Sequence, residues 1–140
     1  MKRFFKSMQG VTLLEIMLVL AIAAMIIVMS VRYYQSAQAS SQANAFVSQV
    51  QAIASAAENL AQGTGAYPSL TTIEKVVNVS TVTVPPWGGS MTYAPAATGF
   101  SLTGITAPGP ATCALLTAKF AQSSQFVFTP CTSITYTSAQ

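Results

Sequence analysis

Residues 11–31 read VTLLEIMLVLAIAAMIIVMSV, an apolar run broken by one charge, Glu15. Wound as an α-helix, such a run rises roughly 30 Å, the thickness of a bilayer's hydrocarbon core. It is therefore read as a transmembrane helix. Lys2, Arg3 and Lys6 all lie before it, and the positive-inside rule places that end in the cytoplasm and the residues beyond Arg32 outside.

Composition agrees with a chain that does not face water along its whole length. Charged residues make up 6% of the sequence and hydrophobic ones 51%, against about 25% charge in an ordinary soluble domain. A length of 140 residues leaves room for one domain and one long segment outside its core.

The net charge of +3 comes from the first residues. Beyond them, Arg32, Lys75 and Lys119 balance Glu15, Glu58 and Glu74. No basic face for nucleic acid is expected, because phosphate recognition needs several Lys or Arg on one surface. An enzyme is not expected either: there is no His and no Asp, and the three Glu are far apart, which leaves no paired-carboxylate site. Two cysteines cannot close a tetrahedral zinc site, so neither metal nor cofactor is expected.

Glu15 is the anomaly in the run. An acidic residue at the centre of a spanning helix costs about 2.5–3.5 kcal/mol on insertion scales, and less near the interface. Either water at the cytoplasmic interface solvates it or a positive partner meets it within the membrane.

A basic leader, Gly10, then Val-Thr-Leu-Leu-Glu and an apolar run together resemble the class III signal of type IV prepilins. The resemblance implies cleavage by prepilin peptidase between Gly10 and Val11 and methylation of the new N-terminus. It also implies a role for Glu15, now the fifth mature residue, in neutralising the N-terminal amine of a neighbouring subunit during assembly. A mature chain beginning with Val is closer to the type IVb branch, although the leader is shorter than many there and Gln9 stands where Lys or Arg is frequent. The competing reading is signal peptidase I cleavage after Ala37-Gln38-Ala39. It fits poorly, because an h-region is ordinarily about 7–15 residues long and this run is longer, holds a Glu and continues without a breaker.

From Val11 to Gln62 there is neither Gly nor Pro, so one continuous helix is expected. Phe46, Val50, Ile53, Ala57 and Leu60 recur at spacings of three and four, with Val47, Ala54 and Ala61 alongside. Gln49, Gln51, Ser55, Glu58 and Gln62 fall mostly on other faces. Gly63-Thr64-Gly65 ends the helix. The expected organisation is a leader over 1–10, a transmembrane and polymerisation helix over 11–31, an amphipathic spine over 32–62 and a head over 63–140.

The head changes to Val, Thr, Ser, Gly and Pro, the residues of strands and turns. Thr71-Thr72-Ile73-Glu74 fits a capping box opening a short helix, and Thr81–Val84 reads as a strand ended by Pro85-Pro86. Pro86-Trp87-Gly88-Gly89 leading into Met91-Thr92-Tyr93 resembles a turn of type IVb pilins, including those of thin conjugative pili, and a related Pro-Trp-Gly of the major type II secretion pseudopilin. Trp87 is expected to be a structural anchor of the core rather than a ligand site. Phe100–Thr103 forms a hairpin partner across Pro95–Gly99. A helix over about 111–120, with Ala114, Leu115, Ala118 and Phe120 toward the core, precedes strands at Phe126–Phe128 and Ser133–Tyr136. The fold class is α+β: a long helix packed on a small antiparallel sheet.

Cys113 and Cys131 are the only cysteines, and both fall in the segment assigned to the outside, where an oxidised pair is expected. The resemblance agrees, since a C-terminal disulfide-bounded region is usual in pilins.

What the resemblance implies is a structural subunit of a type IV pilus, held by a single pass in the bacterial inner membrane and assembled into an extracellular filament. Adhesion, aggregation and conjugation are the functions such a filament serves. Its partners are other copies of itself, prepilin peptidase, the assembly platform with its ATPase, and the membrane before assembly. The alternatives are a type II secretion pseudopilin and a non-assembling anchored or secreted binding domain. Calcium-binding major pseudopilins use acidic ligands near their C-terminal loop, and here no acidic residue follows Glu74.

Overall fold

The computed structural model describes residues 12–78 and 82–138. Its longest element is α1, Leu13–Thr64. The absence of Gly and Pro from Val11 to Gln62 lets the helix continue, and it stops where Gly65 takes φ +73° and its N–H bonds to Ala61 O at 2.7 Å. That is a left-handed C-terminal cap, placed two residues beyond the expected end at Gln62.

The chain divides into two units, residues up to Gln35 and residues from Ser36 onward. In the first, no described residue is buried, and the side chains of Leu13, Met25 and Met29 are 78%, 68% and 71% exposed. This stretch has a mean hydropathy of 2.7 in its most apolar window, long and apolar enough to cross a membrane.

In the second unit α1 becomes the spine of the core. Ala39, Ala43, Phe46, Val50, Ile53, Ala54, Ala56 and Ala57 are buried, so the stripe starts two turns before Phe46, the first residue that periodicity marked. Leu60 is only half-buried. The added positions are alanines, whose small side chains allow close packing but carry little signal in a hydrophobicity pattern.

Four strands follow: β1 Thr92–Ala96, β2 Gly99–Thr103, β3 Phe126–Thr129 and β4 Ser133–Thr137. They form one antiparallel sheet in the order β1-β2-β4-β3. Ala97 and Thr98 make the β1–β2 turn, so the strands extend further into Pro95–Gly99 than expected. Pro95 is tolerated because β1 is an edge strand. Gly99 is required by a close approach, since a Cβ there would run into the backbone carbonyl of Tyr136.

One face of the sheet meets α1 with Tyr93, Phe100, Leu102, Ile134 and Tyr136, all buried in one apolar cluster with the α1 stripe. The register sets Phe100 opposite Tyr136 and Tyr136 opposite Phe126, giving ring contacts at 5.1 and 5.0 Å between centroids. The fold is thus α+β, a long helix on a small antiparallel sheet, as the sequence pattern implies.

Three local expectations need correction. Helix α2 is Leu70–Ile73, with Ser69 at its N-cap and Glu74 at its C-cap; there is no capping box from Thr71 to Glu74, because burial of Ile73 fixes a single turn that has ended by Glu74. Val82 and Thr83 are helical rather than extended, and Val84 lies outside any strand. Pro85 and Pro86 have no N–H for a ladder, and Val82 is instead buried in the core; Thr81 lies outside the described residues. Helix α3, Pro110–Phe120, buries Thr112, Leu116 and Phe120, whereas Ala114 and Ala118 are exposed and Leu115 is half-buried. The bulkier i, i+4, i+8 stripe wins, placing the Phe120 ring 5.5 Å from Phe128 and 5.6 Å from Phe126.

Cys113, in the first turn of α3, is disulfide-bonded to Cys131, 18 positions further along the sequence, with Cα atoms 5.7 Å apart. Cys131 lies in the β3–β4 turn with φ 61°, after Pro130, and Thr132 N–H closes the turn on Thr129 O at 3.1 Å. Pro followed by a positive φ is the arrangement of a type II turn, which ordinarily carries Gly at this point. Cys131 is therefore held against its backbone preference, at a cost of about 1–2 kcal/mol, and the cross-link offsets this by restraining the unfolded chain by about 3 kcal/mol in the chain-entropy model.

The two roles of position 131 can be separated. Cys131→Ser loses the bond and keeps the strain, while Cys131→Gly loses the bond and relieves it. In thermal unfolding of the detergent-solubilised chain, both variants should be less stable than the parent, with the Gly form above the Ser form by roughly 1 kcal/mol. Equal stabilities would show that the turn carries no strain.

Candidate functional site

Two regions hold the residues that sequence reasoning singled out. At the start of α1, Glu15 occupies the first helical turn and is exposed, with its N–H bonded to Thr12 O at 2.9 Å. A carboxylate suits this place, because the free N–H groups of a helix start carry partial positive charge. Neighbouring Leu14, Ile16 and Leu18 are 77%, 48% and 59% exposed, so the acid sits within an apolar surface. Gly10 and Val11, the expected cleavage junction, lie outside the described residues.

The second region is the head side of α1. The Phe46 ring stands 4.8 Å from the Trp87 ring and 6.4 Å from Phe120, at the meeting of the spine, the Pro-Trp-Gly-Gly turn and α3. Gly88 N–H bonds to Pro85 O at 2.9 Å and closes that turn. Trp87 is half-buried against the core, and its indole N–H is buried with no hydrogen-bond partner among the described residues. Its ring packs on the core cluster through Phe46.

Glu58 is the residue whose part was missed. Assigned to an outer face by periodicity, it is half-buried and accepts a hydrogen bond from the Tyr136 hydroxyl, tying the spine to the central strand. The available signal was its position one turn after Ala54, on the flank of the buried stripe. A similar link joins the Tyr93 hydroxyl to Pro68 O at 3.1 Å, and Gln49 Nε2 donates to Val84 O at 2.8 Å.

Glu58 also lines an open cleft with Ala61, Gln62, Gly65, Tyr67, Ala97 and Ser138. It offers one carboxylate. Among the described residues no three His, Cys, Asp or Glu side chains come together as a metal would require.

Comparison with protein-family models, with curated proteins and with solved structures gives no match.

Burial holds both inner-face tyrosines in the neutral form. The Tyr93 hydroxyl is pushed up to about 12, by burial first and by Tyr67 second. Tyr136 is raised further, by burial and then by its hydrogen bond to Glu58 and that residue's charge. Because each native pKa lies above the unfolded value of about 10, the stabilisation is fully present below pH 10 and is lost as pH climbs through the native values.

Trp87, the single tryptophan, gives a fluorescence readout of this. Stability should be flat up to about pH 10 and fall between there and about pH 12. Tyr136→Phe should be less stable at neutral pH by about 1.5–3 kcal/mol, the worth of a hydrogen bond to a charged group, yet fall less steeply in alkali. Parallel pH curves for parent and variant would remove the coupling between Tyr136 ionisation and folding.

Proposed function

We propose that this chain is a type IV pilin-like subunit, closest to the type IVb branch, that waits in a bacterial inner membrane and polymerises into an extracellular filament. The observation that supports it most is the single helix α1, unburied and apolar in its first part and carrying the core stripe of an α+β head in its second. The Gly10-Val11 junction and the acid at Glu15 add the chemistry that a plain membrane-anchored domain leaves unexplained.

In this reading, prepilin peptidase removes residues 1–10 on the cytoplasmic side and the amine of Val11 becomes the new N-terminus. Glu15 of a neighbouring subunit meets that amine where water is scarce, and the two charges offset each other's desolvation. The pairing fixes the axial register of one helix on the next, while the assembly platform and its ATPase supply the work of extraction. The head stays folded throughout, held by the α1 stripe and the Cys113–Cys131 bond, and forms the outside of the filament.

Glu15→Val tests the assembly step. Insertion should become easier, because the apolar run is then continuous, and cleavage should persist, because the junction is unchanged. Filament formation should fall at least tenfold, as expected when an amine loses a counter-charge worth about 1.4 kcal/mol or more. Immunoblotting of mature subunit in the membrane and electron microscopy of sheared filaments from the same cells give the two readouts. Normal filaments in the variant would remove the role of Glu15.

A further inference from the structure

Arg32 ends the apolar run, and its surroundings on α1 have a form that the filament reading does not use. Ala24, Met25, Val28, Met29 and Arg32 line one shallow depression. They stand three, four, seven and eight positions before Arg32, the spacing that brings side chains onto one helix face. Val28, Met25 and Met29 are 54%, 68% and 71% exposed, and Tyr33, 81% exposed, lies one turn beyond Met29 on its flank.

We propose that this depression is a phospholipid site, with an acyl chain along Ala24, Met25, Val28 and Met29 and an anionic headgroup held by Arg32 and the Tyr33 hydroxyl. The inference rests on reading the first part of α1 as a membrane span. Arg32 lies about 28 Å along the helix from Leu13, which brings its guanidinium to the far edge of a hydrocarbon core of about 30 Å. The group is planar and forked, suited to grip a phosphate through two parallel hydrogen bonds. Its stem lies over apolar surface while its head reaches the headgroups, the level at which tyrosine also concentrates. Competition from a carboxylate within this unit is remote: Glu15 is about 25 Å away along the axis.

An anionic lipid is favoured over a zwitterionic one because the site offers one positive charge and no acid. The occupied leaflet is the one opposite the basic residues Lys2, Arg3 and Lys6.

The test is native mass spectrometry of the full-length chain released from bilayers of phosphatidylglycerol and phosphatidylcholine in equal parts. The parent should retain phosphatidylglycerol preferentially, and Arg32→Gln should lower that preference about fivefold, the factor that one basic residue near an anionic surface is worth. Arg32→Lys, which keeps the charge and loses the fork, should fall between the two. Lys2, Arg3 and Lys6 are present in every variant, so differences between variants report position 32, and Gln is as good a helix former as Arg. An unchanged preference in Arg32→Gln would overturn the site, as would displacement of the lipid by free inorganic phosphate. Flotation with the vesicles separates the two levels: a chain that does not float overturns the span and the site together, whereas one that floats with Arg32→Gln unaltered overturns the lipid site alone. Neither cleavage nor filament formation enters the measurement, so its failure is distinct from failure of the filament reading.

Discussion

The buried stripe of α1 from Ala39 to Ala57 is the surface on which the rest of the head depends. Phe46 shows how: fully buried, it touches Trp87 from one connection and Phe120 from another. Large aromatic side chains contribute about 1.5–3 kcal/mol each on full burial, and this cluster joins four parts of the chain through them. The alanines between supply closeness instead of area, bringing the sheet face near enough for Tyr136 to reach Glu58. Few charged groups are present in the head, so packing carries the stability and the hydroxyl links fix the registry.

The sheet is completed late in the sequence. Strand β4 lies between β2 and β3, so the inner face closes only when Ser133–Thr137 has entered, and non-local pairing of this kind is slow to form. The disulfide restrains that step, since Cys113 and Cys131 tie α3 to the turn immediately before β4. In the first unit the same helix meets an opposite requirement. Among the described residues its large apolar side chains are exposed, and a helix can tolerate apolar surroundings only because its backbone groups are satisfied internally.

Much of this was legible from sequence for a definite reason. Long stretches without Gly or Pro, an apolar run and a period of three and four are cooperative signals, and they located α1 and its core face. The hairpin was marked by alternation around a turn, and the cysteine pair by there being only two. What escaped were features decided by tertiary contacts. Ala39 and Ala43 look neutral until the fold buries them, and Glu58 looks solvated until the Tyr136 hydroxyl bonds to it. In α3, Ala114 and Leu116 compete for the same core and the larger residue prevails. The short segments around α2 and Val82 were set by single buried side chains, Ile73 and Val82, rather than by local propensity. The assembly reading comes from Gly10, Val11 and Glu15 in the sequence, and the contribution of the fold is to provide a helix with two distinct halves.

The mass of the N-terminus, measured on protein from cells that carry a prepilin peptidase, bears most directly on the central claim. The account predicts a mature chain beginning at Val11, with the mass of a methylated amine. A chain beginning at Ser40, or one retaining Met1 in those cells, would contradict it.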